Sequence, residues 1–318
     1  MLRRVRNVSG CEAARHCGIL RSRTLRSVIL SVGPWFQADI EPASNPTPLL
    51  LSNSALVAIP IGRLLIAAAA AFVGGIVNAI AGGGTLFTFP ALVAAGMSPL
   101  VANATSTVAL VPGALTSMLG YRGELVGARR WALMLTLPSL LGGGLGAWLL
   151  LHTPGATFDD VVPWLVLGAT TLFIVQRPLL AWVRRHHTTV LDDAALTAAG
   201  PTPALLAWQF AVGIYGGYFG AGVGILMLAA LGFMGFTNLH RMNGLKNWGG
   251  FCMNTVASVS FAVSGIVDWP IALIMLVGSM TGGYLGSKAA QRVPQQFVRV
   301  AVAVIGTVSG VWLLLRRH

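Results

Sequence analysis

From about residue 55 to residue 315 the chain is a succession of long apolar runs separated by short junctions rich in Gly, Pro and charge. A helix crossing a membrane needs about 20 apolar residues at about 1.5 Å each. By that measure candidate segments fall near 55–80, 81–97, 100–121, 130–152, 160–183, 204–221, 222–236, 242–265, 269–290 and 297–315, the second and seventh being short. The stretch from Gly74 to Tyr121, GGIVNAIAGGGTLFTFPALVAAGMSPLVANATSTVALVPGALTSMLGY, is almost wholly apolar yet broken by Gly, Asn and Pro. In hydrocarbon each freed backbone N–H or C=O costs several kcal/mol, so such breaks persist only where they are buried in protein or line a wet cavity. The pattern therefore predicts an all-α integral membrane protein with a cavity at its helix breaks.

The same element recurs. Sliding the chain by 140 places Gly82, Gly84 and Leu86 on Gly222, Gly224 and Leu226, and Asn103 on Asn243. It then places Gly142, Gly143, Leu145 and Gly146 on Gly282, Gly283, Leu285 and Gly286, and Pro154 on Pro294. Paired Gly- or Pro-interrupted segments in two halves are the sequence pointer to a transporter's binding site. Loop charge sets the orientation of the halves, because Lys and Arg favour the cytoplasmic side. After the third segment come Arg122, Arg129 and Arg130 against Glu124, and after the fourth come Asp159 and Asp160. In the second half the signs exchange, with Asp268 after the eighth segment and Lys288, Arg292 and Arg299 after the ninth. The expectation is two inverted repeats of about five segments, the first over 55–183 and the second over 204–318. A central loop at 184–203, with Arg184 and Arg185 nearby, lies on the cytoplasmic side. This puts both termini outside, which is at odds with the basic N-terminal tail.

These residues also carry a resemblance. NAIAGGGTLFTFPALVAAGMSPLVANATSTVALVPGALTSMLGYRGEL is similar to the N-terminal signature of the TauE/SafE family, and Gly216 to Gly286 resembles its second repeat, the likeness covering about residues 58 to 315. The family comprises bacterial permeases associated with export of sulfite and sulfonate-type anions. The resemblance implies a permease and says little of which anion.

Composition sharpens the class and removes others. With 55% hydrophobic and 9% charged residues and a mean hydropathy of +0.75, the chain lies far from the roughly 25% charged of soluble domains. The net charge of +12 is not a nucleic-acid stripe. Seven arginines (Arg3, Arg4, Arg6, Arg15, Arg21, Arg23 and Arg26) stand in the first 26 residues against Glu12 alone. That tail lacks an apolar core followed by a cleavage site; it reads as an unstructured extension with a Pro-containing linker, together residues 1–54. Cys11, His16 and Cys17 read as a chance cluster within it, and Cys252 stands alone in an apolar segment, so neither a disulfide framework nor a metal site is expected. Trp131 with Trp148, and Trp164 with Trp182, bracket single segments at about 25 to 27 Å of helical rise, the spacing of interfacial anchors.

The candidate chemistry is binding rather than catalysis. Gly82, Gly83 and Gly84, with Gly222 and Gly224, let the backbone unwind so that helix N-termini point inward, where unpaired N–H groups attract anions; close packing of small residues is the competing role. Asn103 and Asn243 hold matching places, able to donate to an oxyanion or to tie helices together. Thr105, Ser106 and Thr107 follow Asn103, able to bond the same ligand or their own helix. Lys246 is the cation placed inside the membrane, as a pathway or site residue by default, unless its segment begins later and it snorkels to the interface. His240 and Arg241 are read as loop residues. The nine acids lie in the tail, loops or segment ends, so no carboxylate pair, nucleophile set or metal spacing supports an enzyme. No cofactor is called for. The expected function is a permease for small oxyanions such as sulfite or organosulfonates, working by alternating access in the cytoplasmic membrane. The alternatives are an anion channel or a non-transporting assembly or scaffold protein. The expected partners are a small anion and the lipid bilayer, without nucleic acid, and homo-oligomerisation is left open.

Overall fold

Helices form where the apolar runs predict them, and they end at glycine, proline or polar caps. A computed structural model describes residues 61–80, 82–186, 193–289 and 295–316. The basic tail, the Cys11, His16 and Cys17 group, Arg292 and Pro294 lie outside these residues. In chain order the helices are α1 (Ile61–Ile80), α2 (Thr85–Ala94), α3 (Pro99–Gly120), α4 (Arg122–Gly127), α5 (Arg129–Leu151) and α6 (Gly155–His186). They continue with α7 (Asp193–Ala199), α8 (Pro203–Tyr218), α9 (Val223–Phe233), α10 (Leu239–Ser264), α11 (Trp269–Ala289) and α12 (Gln295–Leu315). Strands are absent among the described residues, and five stretches are long and apolar enough to cross a membrane: Ile61–Ile80, Pro99–Gly120, Arg129–Leu151, Gly155–Val175 and Trp269–Lys288. The protein is an all-α integral membrane protein.

Two helices are too short to cross. α2 has 10 residues and α9 has 11, about 15 to 17 Å of rise against about 30 Å of hydrocarbon. Each follows a turn made by glycine. Gly82 adopts φ +78°, and its N–H closes the end of α1 on Val77 O and Asn78 O at 3.1 Å each. Gly222, at the start of α9, adopts φ +76°. Left-handed backbone of this kind costs a side-chain-bearing residue energy that glycine does not incur. After the first turn α2 runs back along α1, so that a Cβ on Gly74 would stand 2.8 Å from Thr88 Cγ2 and 3.1 Å from Gly84 O.

The helices pair by exchange between the halves. α1 packs on α11 and α8 on α5; α3 packs on α11 and α10 on α5; α9 packs on α6 and α12 on α2. Under the swap of α1, α2, α3, α5 and α6 with α8 through α12, each of these pairs becomes its partner. α3 against α10 and α6 against α12 map onto themselves. Close approaches of glycine to backbone follow the same exchange. A Cβ on Gly283 would strike Gly113 O, and one on Gly143 would strike Met253 O, with Gly143 and Gly283, like Gly113 and Met253, 140 positions apart. Small residues at membrane-helix crossings let backbones touch and replace the hydrophobic drive that lipid removes.

Two expectations are corrected. Trp131 is no anchor facing lipid: it is 1% exposed, stacks edge-on against Phe236 and donates from Nε1 to Leu196 O at 2.9 Å. Trp148 and Trp164 are exposed as anchors would be, while the Trp182 side chain lies outside the described atoms. His240 and Arg241 are helical rather than in a loop, because Asn238 Oδ1 accepts from both of their N–H groups and starts α10 at Leu239.

Candidate functional site

The two glycine turns meet each other. A Cβ on Gly82 would fall 2.6 Å from Gly224 Cα, and one on Gly224 would fall 2.6 Å from Gly82 Cα. Beside this contact lies a narrow cavity of about 30 Å³, room for about two water-sized guests on the scale by which one needs about 10 to 15 Å³. Its polar wall is Asn78, Thr85, Thr107, Lys246, Asn247 and Asn254. Thr107 and Asn247 are 140 positions apart, so the cavity takes a side chain from each of two matching places. The first turns of both short helices also border it, through Thr85 in α2 and Val223 and Gly224 in α9, each bringing the positive end of a helix dipole.

Lys246 enters from the second turn of α10 and is 3% exposed, so it does not snorkel. Its Nζ donates to Asn78 O at 3.2 Å and Ala79 O at 3.5 Å, the last carbonyls of α1. A helix leaves its final carbonyls without intrahelical donors and carries partial negative charge there, so a donor is favoured at this place. These two bonds use both N–H groups of a neutral amine, or two of the three of an ammonium. Among the described residues no Asp or Glu lines the cavity: Glu124 lies 3.7 Å from Arg241, Asp268 accepts from Ile271 N at the start of α11, and Asp159 and Asp160 are exposed. Asn247 is 5% exposed and its Nδ2 has no hydrogen-bond partner. A buried donor left unpaired costs about 1 to 3 kcal/mol, a cost that a bound acceptor removes. Thr85 Oγ1 and Asn254 Oδ1 flank Gly220 from opposite halves, 3.9 and 4.0 Å from where its Cβ would be.

Of the candidates named from sequence, Lys246, Gly82 and Gly224 are gathered at the cavity. Gly83 packs near Phe173, Gly84 near Gly74 O, and Gly222 near Ala169. Asn103 is fully buried and donates from Nδ2 to Tyr218 O at 3.0 Å. Asn243 is buried in α10 with its Oδ1 unpaired, as is Asn103 Oδ1; neither asparagine lines the cavity. Thr105 Oγ1 accepts from Asp268 N at 3.1 Å, and Ser106 shares a 2.5 Å hydrogen bond with Thr88. Sequence reasoning passed over Asn78, Thr85 and Asn254 as candidates. Asn78 stands in the NAIAGGG segment, where an amide beside a glycine break was itself the signal; Asn254 gives none, since its equivalent is Ala114.

Among the described residues no group of three or more His, Cys, Asp or Glu is placed to hold a metal ion. Chemically the arrangement offers the Lys246 amino group, the unpaired amide of Asn247, the side chains of Asn78, Asn254, Thr85 and Thr107, and two helix N-termini to a small guest.

Comparison with known proteins agrees with that class. Residues 67–313 match the family described as sulfite exporter TauE/SafE. A probable membrane transporter protein of Haemophilus influenzae is 30% identical over 250 residues, covering 78% of this chain and 92% of the relative. The probable membrane transporter protein YfcA of Escherichia coli K12 is 29% identical over 257 residues, covering 78% and 88%. The Bacillus subtilis probable membrane transporter protein YunE is 24% identical over 223 residues, covering 69% and 82%.

Proposed function

Because the chain belongs to the TauE/SafE family of membrane transporters, we propose that it is a permease for small oxyanions, sulfite or an organosulfonate above all, acting by alternating access across the cytoplasmic membrane. The observation that carries this reading is Lys246. The buried amino group of Lys246, with no Asp or Glu among the described residues lining its cavity, stands beside the unpaired amide of Asn247 and between two helix N-termini. A charge held inside a membrane protein costs at least about 2.5 to 3.5 kcal/mol on insertion scales and is kept where it meets a ligand or pathway. Anion binding pairs that charge and satisfies the amide together. The narrowness of the cavity means that loading requires it to widen. The exchange of helix partners and the swapped loop charges support two inverted repeats moving about this site, the arrangement in which one central site opens alternately to each side.

The test is a flux panel in proteoliposomes with sulfite, an alkanesulfonate and a carboxylate under outward and inward gradients. At least one oxyanion is expected to move, and Lys246→Gln is expected to lower that flux at least tenfold in protein that remains monodisperse. Silence across the panel, or wild-type flux in the variant, defeats the reading.

A further inference from the structure

Resting on the permease reading, we infer that each anion is carried together with one proton taken up by Lys246, so that the loaded and the empty carrier are both neutral at this site. The hydrogen bonding of Nζ is the starting point. In the empty cavity Nζ faces two acceptors, Asn78 O and Ala79 O. A neutral amine has two N–H bonds and needs no more than these, whereas an ammonium has a third. No described carboxylate lines the cavity to balance an ammonium. The third N–H and the countercharge belong to the loaded state: the amine takes a proton, forming one N–H bond, and that bond donates to the anion's oxygen. On the far side the N–H bond breaks, and the proton and the anion leave together. No other bond changes. Moving an unbalanced charge through a low-dielectric interior is costly, and this sequence never requires it.

Among the described residues Lys246 is the only titratable group that lines the cavity. From α1 it meets Asn78 O and Ala79 O, and the cavity it enters is lined by Thr85 of α2, Thr107 of α3, Gly224 of α9 and Asn247 and Asn254 of α10. The other titratable groups on elements packed against α10 do not line the cavity. Glu124 and Arg241 face one another, and Tyr121 and His240 lie ring to ring. Tyr215 donates to Ala221 O and Tyr218 to Thr153 Oγ1, and His152 bonds Trp148 O. Cys252 is buried elsewhere on α10.

The experiment uses the full chain in proteoliposomes with radiolabelled 2-hydroxyethanesulfonate, which stays ionised at working pH and so does not leak as a neutral acid. An internal pH dye reads protons, and potassium with valinomycin sets the voltage. The expected result is one proton per sulfonate, accumulation driven by a pH gradient alone, and a rate unmoved by voltage. Lys246→Arg, which cannot release its proton, is expected to lose net flux at least tenfold, and the flux that remains is expected to carry no proton and to follow voltage. In the wild type, sulfonate entering without protons, or net flux that follows voltage, overturns the inference and leaves the permease reading standing. If no sulfonate or sulfite crosses under any gradient, the permease reading fails and takes this inference with it. Should Lys246→Arg not fold, the wild-type proton-to-sulfonate ratio alone decides.

Discussion

The two halves of the molecule solve one problem with different chemistry. In each half the first helix ends beside a glycine turn, and carbonyl oxygens of its last turn take a donor from a neighbouring element. The donor comes from the third helix of the other half both times. At the end of α1 it is Lys246 of α10, reaching Asn78 O and Ala79 O; at the end of α8 it is Asn103 of α3, reaching Tyr218 O. The place equivalent to Lys246 in the first half is Ser106, which bonds Thr88 instead. Matching helix ends thus meet an amino group on one side and a neutral amide on the other. On the permease reading the comparison separates two requirements: helix ends are capped wherever they lie, but a site for a single anion needs only one cation, and a second would repel the first.

The largest effects are expected where the halves are most alike. Gly143→Ala and Gly283→Ala each drive a Cβ into a carbonyl oxygen across a helix crossing, Met253 O and Gly113 O respectively. The contact is with backbone, so relief requires the helices to part, and overpacking of this kind costs about 1 to 3 kcal/mol or more. Both variants should lose most of their monodisperse yield in size-exclusion chromatography, and to a similar extent. A severe loss in one and wild-type yield in the other would break the equivalence of the halves. The lipid-facing control Leu137→Ala, at a residue 63% exposed, should behave as wild type.

Next in size is a substitution that makes the halves alike where they differ. Asn247→Thr installs the side chain that its counterpart, Thr107, already carries. It removes an unpaired buried amide from the cavity and keeps a smaller polar group. A hydrogen bond to a charged ligand contributes about 1.5 to 3 kcal/mol, so anion affinity should fall about ten- to a hundredfold, with little change in melting temperature. Affinity within twofold of wild type would place the anion away from Asn247 and narrow the asymmetry to Lys246 alone.

How much of this was legible in the sequence follows the same division. Helix positions were, because apolar runs of spanning length leave lipid-exposed backbone no other choice; the short α2 and α9 and their glycine turns fall where the 140-residue repeat puts them. Lys246 was legible through its cost in a membrane. Its use as a cap on α1 was not, because which helix end it meets depends on packing between halves that no local pattern encodes. The same blindness applied to Asn103. It stands 140 positions before Asn243, but a buried asparagine reads alike whether it binds a ligand or a carbonyl. Trp131 misled for a related reason, since spacing along a helix gives depth but not which face meets lipid.

The smallest effect is expected at Asn103, and it bears most directly on the opening contrast. Asn103→Ala removes the donor to Tyr218 O, leaving a buried carbonyl unsatisfied at a cost of about 1 to 3 kcal/mol. The same change deletes Asn103 Oδ1, a buried acceptor that has no partner, and removing an unsatisfied polar atom returns part of that cost. Amide inversion does not rescue the wild type, because Tyr218 O cannot donate and Nδ2 must therefore point toward it. The net loss should be about 1 kcal/mol or less, a shift of a few degrees in melting temperature, with anion affinity unchanged. Thermal unfolding and binding measured on the same purified sample decide the matter. Affinity at least tenfold weaker at an unchanged melting temperature would mean that Asn103 reaches the ligand after all, and that the caps of the two halves share the binding function rather than dividing it.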